Sequence, residues 1–339
     1  MTGRERVLSA LHHRPVDVLP FMPITMMFAA DTAGVKYGDY ARDHRVLAEA
    51  QVAVADRFGA DDVSAISDPA REASDLGARI EWFEDQPPAI VESEALLGDK
   101  SKLDRLIIPD PLASPRMRDR VEAIRLLKRL RGATHAVEGW VEGPCAMSAD
   151  LRGVNTLMLD LIDDQEFVER LFGFVFEMEL GFARAQVDAG ADYIGIGDAA
   201  ASLIGPRLYH QLVEPWEVRL IQAIHQLGVP VRLHICGNTR RIAAGMGRTG
   251  SDMIDLDYPV PMTEARAAIP LPTPLCGNLD PVREVRDGNP QSIEALLCAC
   301  YEAAGPNYIV GAGCEIARGT PPENLEAMAR FARLHSPAV

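Results

Sequence analysis

The chain is short of positive charge: 34 lysines and arginines stand against 49 aspartates and glutamates, a formal net charge of −15 over 339 residues. That balance repels nucleic acid and anionic membrane, and no Lys/Arg-rich run or basic-aromatic strip offsets it locally. Long apolar runs are missing too. Nothing approaches the roughly 20 apolar residues that span a bilayer. The opening residues, MTGRERVLSALHHRP, are charged, with no apolar core of signal-peptide length behind them. The expectation is a cytoplasmic protein, where thiols stay reduced. Cysteine is scarce, six in all, too few for a disulfide scaffold. Two cysteines spaced with a histidine then call for a metal or redox explanation.

What is present is a chain able to bury a sizeable core, 47% hydrophobic and 24% charged. Short apolar runs alternate with amphipathic helical segments. The runs are 18–25, 61–66, 136–142, 192–198, 230–236, 252–257, 273–279 and 307–313, each nearly continuously apolar, as parallel strands covered by helices should be. Between them, Phe167, Leu171, Phe174, Val175, Met178 and Phe182 mark one face of a helix over 164–189. Gly205-Pro206 opens a helix to 227, and further helices are expected over 289–303 and 321–334. Eight alternating units predict one α/β domain over 1–339, a (β/α)₈ TIM-type barrel with an N-terminal extension. Residues 78–115 break the rhythm and read as a hairpin insertion around Gln86-Pro87-Pro88, within the second βα unit.

The sharpest local signal is Leu233-His234-Ile235-Cys236-Gly237-Asn238. In a strand, residues i and i+2 point to one side, so His234 and Cys236 can aim at one point. They end a strand, where barrels carry their active sites. Imidazole nitrogen and thiolate sulfur are the ligand pair that zinc favours. A third ligand must come from another strand end, and Gly311-Ala312-Gly313-Cys314-Glu315 offers Cys314, flanked by glycines that permit close approach. The alternative is that these cysteines are simply small buried hydrophobes. Cys298 and Cys300 fall in a helix at a spacing that shares no face, Cys145 follows Pro144 in an expected loop, and Cys276 lies inside a strand.

The pattern H-x-C-G-N, followed by G-x-G-C-E and T-P-x-E-N-L, resembles the uroporphyrinogen decarboxylase superfamily, in particular its zinc-dependent corrinoid branch, the methylcobamide:coenzyme M methyltransferases. The opening from Arg4 to Pro20, Glu142-Gly143-Pro144, the run from Asp192 to Asp198 and Gly277-Asn278-Leu279-Asp280-Pro281 match further landmarks, so the resemblance covers nearly the whole chain. It implies a barrel with zinc held by His234, Cys236 and Cys314. It departs from the decarboxylases where they carry an arginine-rich segment for substrate carboxylates: that place reads Thr25 to Asp31, TMMFAAD, with no arginine before Arg42. Porphyrinogen decarboxylation is therefore rejected. Met26, Met27 and Phe28 are candidates to face a corrin ring, or ordinary barrel packing.

The expected activity is transfer of a methyl group from a methylated corrinoid to a thiol-type or folate-type acceptor. The chain has no D-x-H-x-x-G corrinoid-binding signature, so the methylcobamide would be presented by a separate corrinoid protein. Asp257 is a candidate exchangeable metal ligand, with Asp255 as its rival or as the partner that orients His234. Glu142, Asp198 and Asn278, at other strand ends, are pocket candidates. Two other readings remain: methyl transfer from a folate donor to a thiol, as in the related cobalamin-independent methionine synthase fold, and a non-catalytic corrinoid- or metal-binding protein.

Overall fold

A computed structural model describes residues 1–337. Seven parallel strands form one sheet in chain order: β1 Asp62–Ser64, β2 Ala136–Glu142, β3 Tyr193–Gly197, β4 Val231–Ile235, β5 Met253–Leu256, β6 Leu275–Cys276 and β7 Tyr308–Ile309. The two sheet edges are joined by one segment. Val310 N donates to Pro20 O at 2.9 Å, Met22 N to Val310 O at 2.9 Å, and Asp61 N to Phe21 O at 2.9 Å. Residues 20–22 thus occupy the eighth position of a (β/α)₈ barrel. The strand expected over 18–25 is reduced to a single bridge, Phe21 with Val310. Pro20 and Pro23 lack the N–H that longer ladders need.

The N-terminal extension closes the bottom of the barrel. Helix Gly3–Leu11, started by a Thr2/Glu5 capping box, places Val7 and Leu11 against Met22, Ala136, Tyr193, Met253, Cys276 and Ile309. Cys276 is therefore lower core and does not face the mouth. The long covering helix is Gln165–Ala189, and it buries Phe167, Leu171, Val175, Met178 and Phe182 as expected, with Phe174 half-buried at the margin. The helix expected from 206 is interrupted: Pro206–Leu208 leads into a π turn, Tyr209–Val213, before Glu214–His225. Pro215 has no N–H to give to the preceding turn, which explains the wider loop there.

The insertion contains the expected hairpin, Ile80–Glu81 paired antiparallel with Ala89–Ile90. Its tip reaches the rim of the barrel mouth: Asp85 accepts from Tyr37 N at 3.0 Å and from Arg318 Nη2 at 2.9 Å. Arg318 belongs to the loop that carries Cys314. Among the described residues, no helix is long and apolar enough to cross a membrane.

Candidate metal centre and its pocket

Strand parity does the first part of the assembly. Arg232, His234 and Cys236 point the same way from β4 and its end. His234 Nε2 lies 3.0 Å from Cys236 Sγ. Cys314 arrives from the loop after β7, and its Sγ is 3.7 Å from that of Cys236. The donor atoms of the three residues all lie within 4.8 Å of one another. Close approach of the Cys314 loop depends on Gly313, where a Cβ would stand 2.4 Å from Tyr258 N and 2.9 Å from Asp257 Oδ1.

The donor set suits zinc by geometry as well as by chemistry. Two sulfurs each about 2.3 Å from one ion at a tetrahedral angle lie about 3.8 Å apart, against the 3.7 Å found. The other imidazole nitrogen, Nδ1, faces Asp255 Oδ2 at 3.4 Å. Asp255 is fixed in turn by Arg232, whose Nε donates at 3.0 Å and whose Nη1 reaches Glu138 Oε1 at 3.3 Å. This is the arrangement that orients a ligating histidine through its second nitrogen.

Without a metal the three groups polarise one another. The hydrogen bond from Cys236 holds the Cys314 thiol well below its usual range, against its burial, and His234 adds to this. The Cys236 thiol is pushed up, by the same hydrogen bond and by burial. Burial would lower His234, but the Cys236 sulfur and the Asp255 carboxylate outweigh it and raise it well above the ordinary imidazole value. An imidazole held high and a thiol held low beside it are groups whose protons a bound cation displaces.

The remaining candidates are placed unequally. Glu142 lines the cavity that also exposes His234, Cys236 and Cys314. Its Oε1 accepts from Arg71 Nη2 at 3.0 Å, and burial, opposed by Arg71, pushes its carboxyl up to about 8. Met26 lines the same cavity. Asp257 sits beside the Cys314 loop, but both its oxygens are engaged, by Gly237 N at 2.5 Å and Tyr258 N at 2.7 Å.

Other expectations need correction. Asp198 is wholly buried away from the cavity and accepts from Ala146 N at 2.5 Å and Cys145 N at 3.3 Å. It fixes the start of helix Pro144–Arg152, whose first turn, not a loop, holds Cys145. Asn278 ties down the loop after β5 by donating to Val260 O and, at 3.4 Å, to Asp257 O. Phe28 turns into the core against Phe58, ring centroids 5.6 Å apart, so it does not face a corrin. Met27 is half-buried and packs against the same core.

Arg71, Trp140, Ile24 and Ile66 also line the cavity and were not expected from the sequence. Trp140 had a signal: it shares strand parity with Glu142. Its ring lies over Gly195, where a Cβ would meet it at 2.3 Å. Arg71 had one too, since Ser67-Asp68-Pro69 follows a strand end and opens helix Ala70–Asp75 at the mouth.

An α/β barrel with a nitrogen and two sulfurs converging at its C-terminal mouth is the class of protein that fold and site define. Residues 2–335 match the uroporphyrinogen decarboxylase (URO-D) family, and the chain belongs to it. It is 29% identical over 339 residues to the methylcobamide:CoM methyltransferase MtbA of Methanosarcina mazei, covering 98% of each chain. It is 25% identical to the methylcobamide:CoM methyltransferase MtaA of Methanosarcina barkeri, with 96% of each covered. To the uroporphyrinogen decarboxylase of Myxococcus xanthus it is 25% identical, over 99% of this chain and 97% of that one. A solved methyltransferase from Methanosarcina mazei superposes with a TM-score of 0.90 at 23% identity, covering 98% of both chains.

Proposed function

We propose that this methyltransferase, one barrel domain over residues 1–339, moves a methyl group from a methylcobamide held by a separate corrinoid protein to a small thiol, with zinc bound by His234, Cys236 and Cys314. The observation that carries the reading is the convergence of these donors at the barrel mouth, with the two sulfurs 3.7 Å apart, beside a cavity of about 160 Å³. The names of the full-length relatives, methylcobamide:CoM methyltransferases, support the donor and the thiol class.

Zinc, when bound, would make an acceptor thiolate available at neutral pH. The chain's own part is positional. Arg232 and Asp255 hold the His234 ring with Nε2 toward the two sulfurs. Three protein ligands leave a place for an acceptor, unlike a closed structural site. Ile24, Met26, Ile66 and Trp140 wall the cavity with apolar surface beside the sulfurs. In the reaction an S–C bond forms, the Co–C bond breaks with its electron pair left on cobalt, and the thiol proton leaves to solvent. The small cavity supports a thiol over a folate, since pockets that enclose larger ligands run to about 300–1,000 Å³.

The test is metal analysis combined with turnover. Protein purified with zinc supplied should hold about one equivalent and convert free methylcobalamin to the cobalt(I) or cobalt(II) spectrum with a thiol present. Protein that holds zinc yet demethylates nothing with any thiol favours a non-catalytic binding role.

A further inference from the structure

The cavity that exposes the three metal-ligand candidates also exposes one carboxylate oxygen with nothing to bind. Glu142 is 6% exposed. Its Oε1 takes Arg71, and among the described residues its Oε2 has no hydrogen-bond partner, nor is it sealed in the protein. Trp140 stands two residues before it on the same face of β2 and lines the same cavity.

The one guanidinium on that wall is already committed. Arg71 Nη1 donates to Asp68 O, and Nη2 is shared between Glu72 at 3.2 Å and Glu142 at 3.0 Å. Its Nε is sealed away from the cavity. Asp68, the other charged residue of the wall, is paired with Arg116 at 2.7 Å. Behind Arg71, Glu72 and Glu179 are both wholly buried, so carboxyl groups outnumber the cation they surround.

A sulfonate or carboxylate on the acceptor would meet this excess of carboxyls, and the guanidinium beside them is already shared with Glu72 and Glu142. An ammonium group would meet the free oxygen of Glu142 in a charge-assisted hydrogen bond and lie beside the indole of Trp140, a ring that attracts cations. It would also supply the positive charge that keeps Glu142 ionised. We propose that the methyl acceptor is a small aminothiol whose ammonium group is held by Glu142 and Trp140, so that these two residues set acceptor specificity. The proposal rests on the thiol methyl-transfer reading above and deepens it.

A matched series tests it: 2-aminoethanethiol, 2-mercaptoethanol and 2-mercaptoethanesulfonate, which differ only in the terminal group. Affinity for zinc-loaded protein is read by calorimetry, and methyl transfer from free methylcobalamin is read by absorbance. The corresponding methyl thioethers, with no thiol proton to lose, repeat the binding comparison. The aminothiol should bind at least about tenfold more tightly than the sulfonate, the size of one charge-assisted contact, with the alcohol between them. Glu142→Gln should shrink that preference to within about threefold, and Trp140→Leu should weaken the aminothiol selectively.

A wild-type protein that binds the sulfonate as tightly or more tightly overturns the inference and leaves thiol methyl transfer standing. Selectivity that survives Glu142→Gln in a folded variant overturns the role of Glu142; the wild-type series decides by itself if that variant does not fold. No binding and no methylation of any of the three overturns the methyl-transfer reading and the inference with it.

Discussion

At the bottom of the barrel, Asp61 is surrounded. It is 1% exposed and accepts from Phe21 N at 2.8 Å, Arg6 Nη1 at 2.5 Å and Arg333 Nη1 at 3.1 Å. These bonds tie the entering helix, the barrel-closing segment and the last helix to one carboxylate. At the mouth, by contrast, two sulfurs hydrogen-bonded to each other and to His234 face a cavity, beside a carboxylate oxygen of Glu142 that has no partner among the described residues. A fold can satisfy every buried polar group when it has only stability to serve. Donors left converging and open at the C-terminal ends of strands mark the end that does chemistry.

Substitutions at the two ends should therefore separate stability from metal binding. Cys236→Ala or Cys314→Ala should cut zinc from about one equivalent to below about a tenth, measured by elemental analysis, while the metal-free melting temperature stays near that of the metal-free wild type. Loss of folding instead would make the mouth a structural site like the bottom. Asp61→Ala should do the reverse. It removes the buried acceptor that Phe21 N, Arg6 and Arg333 share, although Arg6 keeps Asp17, and costs about 1–3 kcal/mol in urea unfolding, with the zinc content of the folded fraction unchanged.

Asp255→Asn lies between the ends and sharpens the boundary. The amide keeps the shape but removes the charge that His234 Nδ1 and Arg232 face. Zinc affinity, read by competition with a chelator, should fall about 10–100-fold. An unchanged affinity would detach Asp255 from the site and make it a barrel-core group only.

The smallest effect belongs to the bottom. His225 Nε2 lies 2.7 Å from Asp252, and that hydrogen bond raises its pKa above 6.5, against its burial. A pKa raised on folding stabilises the fold fully below the unfolded value and is lost as pH rises through the folded one. His225→Gln should therefore cost up to about 1 kcal/mol at pH 5.5 and nothing measurable at pH 8.5, with zinc affinity unaffected at either pH.

The sequence made the mouth easier to read than the pocket. His234 and Cys236 are legible because strand parity is a two-residue rule, and Cys314 because glycines announce a close approach. The barrel is legible because each strand is an apolar run between helices. The first strand was over-read, since its flanking prolines allow only one bridge. Asp198 and Asn278 sit at strand ends as expected, but a strand end fixes a backbone position and not what the side chain binds. Their partners, the N–H groups of Cys145 and Ala146 and the carbonyl of Val260, are set by loop geometry that no spacing encodes. Phe28 lies in the stretch that replaces an arginine-rich segment, yet helix Met27–Ala33 turns its ring into the core. Arg71 stayed hidden because a buried arginine has no periodicity. Its place in the segment after a strand end was the one signal it left.

The central claim is one nitrogen and two sulfurs holding zinc with a position left for an acceptor thiol. Zinc K-edge X-ray absorption on the loaded protein, before and after addition of an acceptor thiol, tests it most directly. The account predicts one nitrogen at about 2.0 Å and two protein sulfurs at about 2.3 Å from zinc, rising to three sulfurs with thiol present. A sulfur count that is other than two at rest, or that does not change with thiol, would contradict it.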